Sequence, residues 1–159
     1  MEIESLRKVP FLAELSDAEL KEFASLIESR EYQDGQQIIE EGTVPSAVQI
    51  VRTGVVHVRC RASDGSEKFL NRLGPGSFFA DVNMFDPGVA TASIFATEPT
   101  QIAIIPYVRF RTFLDEHPRA GYRIVSAMLA EVAKRLRASN ERLANLNLES
   151  ESAGSGWMS

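Results

Sequence analysis

The chain has 159 residues, 44% hydrophobic and 25% charged, which fits one globular domain with a real core. No stretch nears the ~20 uninterrupted apolar residues of a membrane helix, and the charged start MEIESLRK lacks the apolar core of a secretory signal. Cys60 is the single cysteine, which excludes an internal disulfide and argues against a cysteine-based zinc site, and the net charge of −5 argues against broad nucleic-acid binding.

In chain order, Ser16-Asp17-Ala18-Glu19 has the form of a capping box. Leu20, Phe23, Ala24 and Ile27 follow at helical spacing, and Leu15 and Leu20 flank the cap as a hydrophobic staple. Asp34-Gly35 then marks a turn. Beyond it the period changes to two. Val48 and Ile50 alternate with polar neighbours, as do Val56, Val58 and Cys60. Asp64-Gly65 separates that run from Lys68 to Leu73, a hairpin signal. Gly35, Gly42, Gly54, Gly65, Gly74 and Gly76 recur roughly every ten residues, the turn rhythm of a sandwich or barrel. Ala92 to Ala96 and Thr100 to Ile105 read as two more strands, with Pro106 closing the second. The β region is expected from about residue 31 to about residue 106.

Phe110, Phe113 and Leu114 predict a short helix stopped by His117-Pro118. Residues 119–147 hold no proline and one glycine, Gly121, and predict a helix ~40 Å long. Leu129, Leu136 and Leu143 recur every seven residues, with Val125, Val132, Ser139 and Leu146 as the second row. That is an a/d seam with one polar d position, and it predicts a homodimer through those seven residues. Lys134, Arg135, Arg137 and Arg142 read as a solvated face balanced by Glu131 and Glu141. Residues 1–148 read as one domain, and residues 149–159 as a polar, disordered tail.

The most informative stretch is residues 73–96, LGPGSFFADVNMFDPGVATASIFA. A Gly-Pro-Gly turn leads through aromatics to a short acid-bearing segment, a second turn at Asp86-Pro87-Gly88, and a strand. Backbone amides opening a short helix between two strands suit an anion, and the helix is predicted to begin near Asp81. Before it come Gly35-Gln36-Gln37-Ile38-Ile39, Gly42, the run Val48 to Val56 and the Asp64-Gly65 turn. In this order and spacing the motifs resemble the cyclic-nucleotide-binding domain family, over about residues 6–148.

The resemblance implies a mainly β fold, a double-stranded β-helix or jelly roll, with flanking helices and a long C-terminal dimerisation helix. It also implies a phosphate-binding cassette of the form Phe-Gly-Glu, short helix, Arg and two small residues. In the family the Glu accepts a hydrogen bond from the ribose 2′-hydroxyl and the Arg pairs with the cyclic phosphate. The matching residues here are Phe79-Ala80-Asp81, with Val82 opening the helix, then Thr91 at the Arg position followed by Ala92 and Ser93. Ser139 and Asn140 fall where the family's bacterial activators place two polar side chains on the purine.

The departures set the functional expectation. Thr91 carries no charge, and losing a charge-assisted partner costs about 2–5 kcal/mol, or roughly 30-fold to several thousandfold in affinity. Asp81 is one methylene shorter than Glu, and the β-carbon of Ala80 crowds the position of a glycine. The expectation is a regulatory module that binds cyclic AMP or cyclic GMP weakly or not at all and acts through an effector protein. One alternative is a genuine cyclic-nucleotide sensor using Asp81, Ser139, Asn140 and a cation from elsewhere, with Arg52, Arg72 and Arg123 as candidates. Another is a dimeric assembly scaffold whose pocket is filled by Phe79, Met84 and Phe85. No nucleophile–base pair or metal constellation surrounds His57 or His117, so neither an enzyme, a cofactor nor a metal site is expected. Cys60 is expected as a buried small hydrophobe. The family's transcription factors continue into a helix-turn-helix domain, whose pattern is not seen after the long helix. A cytoplasmic protein without DNA or membrane contact is therefore expected.

Overall fold

The N-terminal helical layer follows from local sequence signals. The computed structural model describes the backbone of residues 2–155 and the side chains of residues 2–149. Helix α1 (Ile3–Arg7), a 3-10 turn (Pro10–Leu12) and helix α2 (Asp17–Ala24) come first. The capping box closes both ways: Glu19 N donates to Ser16 Oγ at 3.2 Å, and Ser16 N donates to Glu19 Oε1 at 2.9 Å. The Ser16 N–H holds the Glu19 carboxyl below its usual range. Leu15 and Leu20 on either side of the cap are buried.

Eight strands follow: β1 (Glu28–Tyr32), β2 (Gln37–Ile39), β3 (Ala47–Thr53), β4 (Val56–Arg61), β5 (Glu67–Leu73), β6 (Phe78–Phe79), β7 (Ser93–Ala96) and β8 (Thr100–Pro106). They form two antiparallel sheets, ordered β1-β8-β3-β6 and β2-β7-β4-β5, the two halves of a jelly roll. Strand β3 shows how the pattern builds it. Val48 and Ile50 point into a core shared with the helices, while Ala47 and Val51 point into the roll. The helix-side core also holds Leu6, Phe11, Phe23, Phe110 and Ile124. The inner core holds Val56, Phe79, Ile94, Ile102 and Ile104.

The Asp64-Gly65 turn joins β4 to β5 as expected, with Ser66 N donating to Asp64 Oδ1 at 2.9 Å. The register then shifts: Val58 pairs with Asn71 and Arg59 with Phe69, which leaves Leu70 as a bulge. Gly54, at φ +90°, lies so close to β8 that a β-carbon there would sit 2.3 Å from Thr100 Oγ1. Cys60 is half-buried rather than buried, because β4 loses its cover toward the hairpin tip, where Arg61 and Asp64 are exposed.

Three helices complete the described chain: α3 (Val82–Phe85) in the cassette, α4 (Tyr107–Glu116) and α5 (Pro118–Ser155). Pro118 opens α5 at the position where a proline costs no hydrogen bond. At the joint, His117 Nε2 lies 2.5 Å from Glu22 Oε2. The expected helix over residues 119–147 is extended at its far end. Residues 149–155, expected as a tail, are helical: no proline interrupts them, and glutamate and alanine favour the helix. The rest of that expected tail, with Trp157, lies outside the described residues. Helix α5 buries Ala120, Ile124 and Met128 in the helix-side core, where it packs on the 3-10 turn and α4. Leu129, Leu136, Leu143 and Leu146 remain 58–66% exposed, Val125 and Val132 are half-buried, and Ser139 is exposed.

Candidate ligand cleft

The cassette is held from below before it forms a cleft. Phe78 faces the helices, and Phe79, one residue on, faces the interior of the roll. Ala80 then takes a left-handed backbone, φ 59°, the only non-glycine among the described residues to do so. The resemblance implies glycine at this position, and the conformation is strained for alanine. The Tyr107 hydroxyl of α4 donates to Ala80 O, and Arg111 Nη2, one turn later, donates to Met84 O. Both ends of the cassette turn are thereby tied to one helix. Burial pushes the Tyr107 hydroxyl up to about 12. The Asp81 carboxylate adds to this, and Arg111 opposes it. On the far side, Asn83 Nδ2 donates to Gly88 O and Val89 O at 3.2 and 3.4 Å. The loop after β2 is stitched to the same segment, with Gly42 N donating to Ala90 O at 2.8 Å and Ala90 N to Thr43 O at 2.7 Å.

These ties leave a cleft of about 260 Å³ between the cassette, β4, β5 and α5. Phe79, Ala80, Asp81, Val82, Thr91 and Ala92, the cassette residues named from the sequence, all line it. Helix α3 begins one residue after Asp81, as expected. Asp81 occupies the cap position without capping: its side chain makes no cap hydrogen bond. The residue is 2% exposed. Thr91 is an exposed, uncharged residue on the rim. The cleft is open. Phe79 forms part of its wall, Met84 belongs to the helix-side core, and Phe85 is exposed, so the three do not fill it together.

Ser139 and Asn140 are exposed on α5 and do not line this cleft. Arg135, one helical turn earlier, does. Its Nη1 lies 3.3 Å from Asp81 Oδ1, its Nη2 donates to Phe78 O at 3.2 Å, and its guanidinium stands 4.9 Å over the Phe78 ring. Of the cations considered from sequence, Arg52 reaches Ser29 Oγ and Arg123 reaches Glu14 O, while Arg72 is exposed on β5; none lines the cleft. By sequence, Arg135 groups with Lys134, Arg137 and Arg142 as a solvated face. The contrary signal is its spacing, since it lies seven residues after buried Met128 on the stripe that begins with Ala120 and Ile124. Seven residues further, Arg142 Nη1 donates to Leu70 O at 3.3 Å, the carbonyl of the β5 bulge.

The Asp81–Arg135 pair neutralises itself. The Asp81 side chain is 3% exposed and that of Arg135 is 39% exposed, so the acid is the desolvated partner and depends on the guanidinium. Among the described residues no three His, Cys, Asp or Glu side chains gather to hold a metal ion, and no helix is long and apolar enough to cross a membrane.

Comparisons with known proteins agree with this geometry. The family model "Cyclic nucleotide-binding domain" matches residues 29–117. The chain is 32% identical over 114 residues to the CRP-like cAMP-activated global transcriptional regulator of Mycobacterium tuberculosis, covering 70% of this chain and 48% of the regulator. It thus spans about half the length of that curated relative. It is 29% identical to Glutaminase 2 of Bradyrhizobium diazoefficiens over 83% of this chain but only 20% of that enzyme, so the match takes in a fifth of it. The Thermus thermophilus catabolite activator protein superposes with a TM-score of 0.77 at 26% identity, covering 87% of this chain and 63% of that one. Fold, cassette order and family match converge: the chain belongs to the cyclic nucleotide-binding domain family.

Proposed function

We propose that this chain is a non-catalytic regulatory module, dimeric through α5, that binds cyclic AMP and cyclic GMP weakly or not at all and signals through a protein partner. One observation carries the reading. Among the described residues that line the cleft no cation is unengaged: Thr91, the position the resemblance assigns to the family's arginine, is on the rim, and Arg135 is already held by Asp81. A cyclic phosphate entering the cleft meets a threonine hydroxyl in place of a guanidinium, and a nearby carboxylate. The dimer reading rests on the exposed heptad leucines of α5.

Calorimetric titration with cyclic AMP and cyclic GMP tests it, with Thr91→Arg measured alongside. The expected outcome is no binding below the micromolar range for the wild type, and a gain of at least about 30-fold for Thr91→Arg. Submicromolar binding by the wild type overturns the proposal. A second reading, a sensor with an unusual phosphate site, is favoured by the position of Arg135 at the cleft. In that case Arg135→Met abolishes a measurable wild-type affinity, whereas the first reading leaves nothing to abolish.

A further inference from the structure

The two sheets of the roll are covered differently. The sheet β1-β8-β3-β6 packs its outer face, through Val48, Ile50, Ala103 and Ile105, on the helices. In the sheet β2-β7-β4-β5, Val56 and Val58 of β4 point into the roll, so His57, Arg59 and Arg61 point out. Their cross-strand partners share that face: Phe95 and Arg72 lie opposite His57, Phe69 opposite Arg59, and Glu67 opposite Arg61.

The outward side chains form an ordered surface of rings and cations. The His57 ring meets the Phe69 ring edge-on at 5.0 Å, and the Arg59 guanidinium stands 5.0 Å over the Phe95 ring. Phe69 is 59% exposed, and Arg61 and Arg72 are exposed. Among the described residues none of the three arginines pairs with a carboxylate, although the chain carries a net charge of −5. Arginine and aromatic side chains held in place are what protein interfaces anchor on, and a guanidinium is shed of water more readily than an ammonium.

The acids of this face gather at one end. Glu40, Glu41 and Glu67 line the groove at the tip of the β4–β5 hairpin, where Glu41 Oε2 accepts from Arg61 N at 3.0 Å. A nucleic-acid strand tracking the rings would run its phosphates past these three carboxylates. A short peptide of mixed charge meets no such conflict.

We infer that the outer face of the β2-β7-β4-β5 sheet docks a short segment of a partner protein. Its carboxylates meet Arg59 and Arg72, its aromatic side chain packs on Phe69 and Phe95, and a basic residue meets Glu41 and Glu67. The inference rests on the proposal that the chain signals through a protein partner, and it says where that partner sits.

The test selects a random peptide library displayed on phage against the full chain and titrates the recovered peptides by calorimetry. The peptides are expected to carry Asp or Glu beside an aromatic residue. Arg72→Glu and Phe69→Ser, both at exposed positions, are each expected to weaken binding about tenfold or more without moving the melting temperature. A peptide with its acids changed to lysine is expected to regain affinity for Arg72→Glu. No enrichment, peptides without acids, or affinities indifferent to both variants overturn the inference. Oligodeoxythymidine bound more tightly than the peptides overturns it in favour of nucleic acid. A change of oligomeric state in either variant overturns it in favour of a second copy of this chain. Submicromolar cyclic AMP binding by a chain that still holds the peptides overturns the preceding proposal alone.

Discussion

Arg135 and Asp81 lie 54 residues apart in the chain, yet each determines what the other can do. Removing the guanidinium strands a carboxylate out of water. Arg135→Met is therefore expected to destabilise the fold by about 1–3 kcal/mol in denaturant unfolding, discounted from a fully buried pair because the arginine is partly solvated. Gly54 is a second point of tension. A β-carbon there would meet Thr100 Oγ1 at 2.3 Å and Pro99 O at 2.6 Å, on a backbone at φ +90°. Gly54→Ala should lower stability by about 2–4 kcal/mol, read by the same unfolding experiment. Tyr107 gives a pH signature. Its folded value is raised to about 12 from an ordinary 10. Between those values the folded chain holds a proton that the unfolded chain has released. The contribution is thus complete below pH 10 and lost as pH rises toward 12. The melting temperature should fall through that window in the wild type and fall less in Tyr107→Phe. The ultraviolet titration should show one of the three tyrosines holding its proton to about pH 12.

At the scale of elements, α5 carries two parallel stripes. Met128, Arg135 and Arg142 face the roll, where they meet the core, the cassette and the β5 bulge in turn. Leu129, Leu136 and Leu143, each one residue on, face outward. The outward stripe was legible from its seven-residue recurrence alone. The inward one was not, because its two arginines sit among other charges that mimic a solvated face, and their partners lie 54 and 72 residues away. Leu136→Glu is expected to yield a monomer by light scattering, while Arg142→Ala leaves the oligomeric state unchanged. A monomeric wild type would contradict the dimer reading. The local signals fared best where a motif carries its own geometry: the Ser16–Glu19 capping box, the Asp64-Gly65 turn and the Gly-Pro-Gly entry to the cassette.

At the scale of the molecule, the jelly roll was legible from its glycine rhythm and motif order, and Phe79, Ala80, Asp81, Val82, Thr91 and Ala92 fall on one cleft. Strand partners were not legible. β1 was expected about three residues later than it begins, and nothing local marks its pairing with β8, since its exposed residues Glu28 to Glu31 give no alternation. The placement of Ser139 and Asn140 outside the cleft has the same origin. A position on a helix is set by the period, but its distance from a site is set by how the helix docks.

The pairing of β1 with β8 also bears on how the chain is made. Glu28 lies opposite Ile104, so the first strand has no partner until the last one exists. On a ribosome adding 5–20 residues per second, β1 waits roughly 4–15 s after its own synthesis. Through that interval β3 also lacks its long neighbour, because β8 lies between the two in the sheet. The nascent chain therefore carries the apolar residues of β3 unpaired on that edge. Its β4–β5 hairpin can close early, and the roll only at the end.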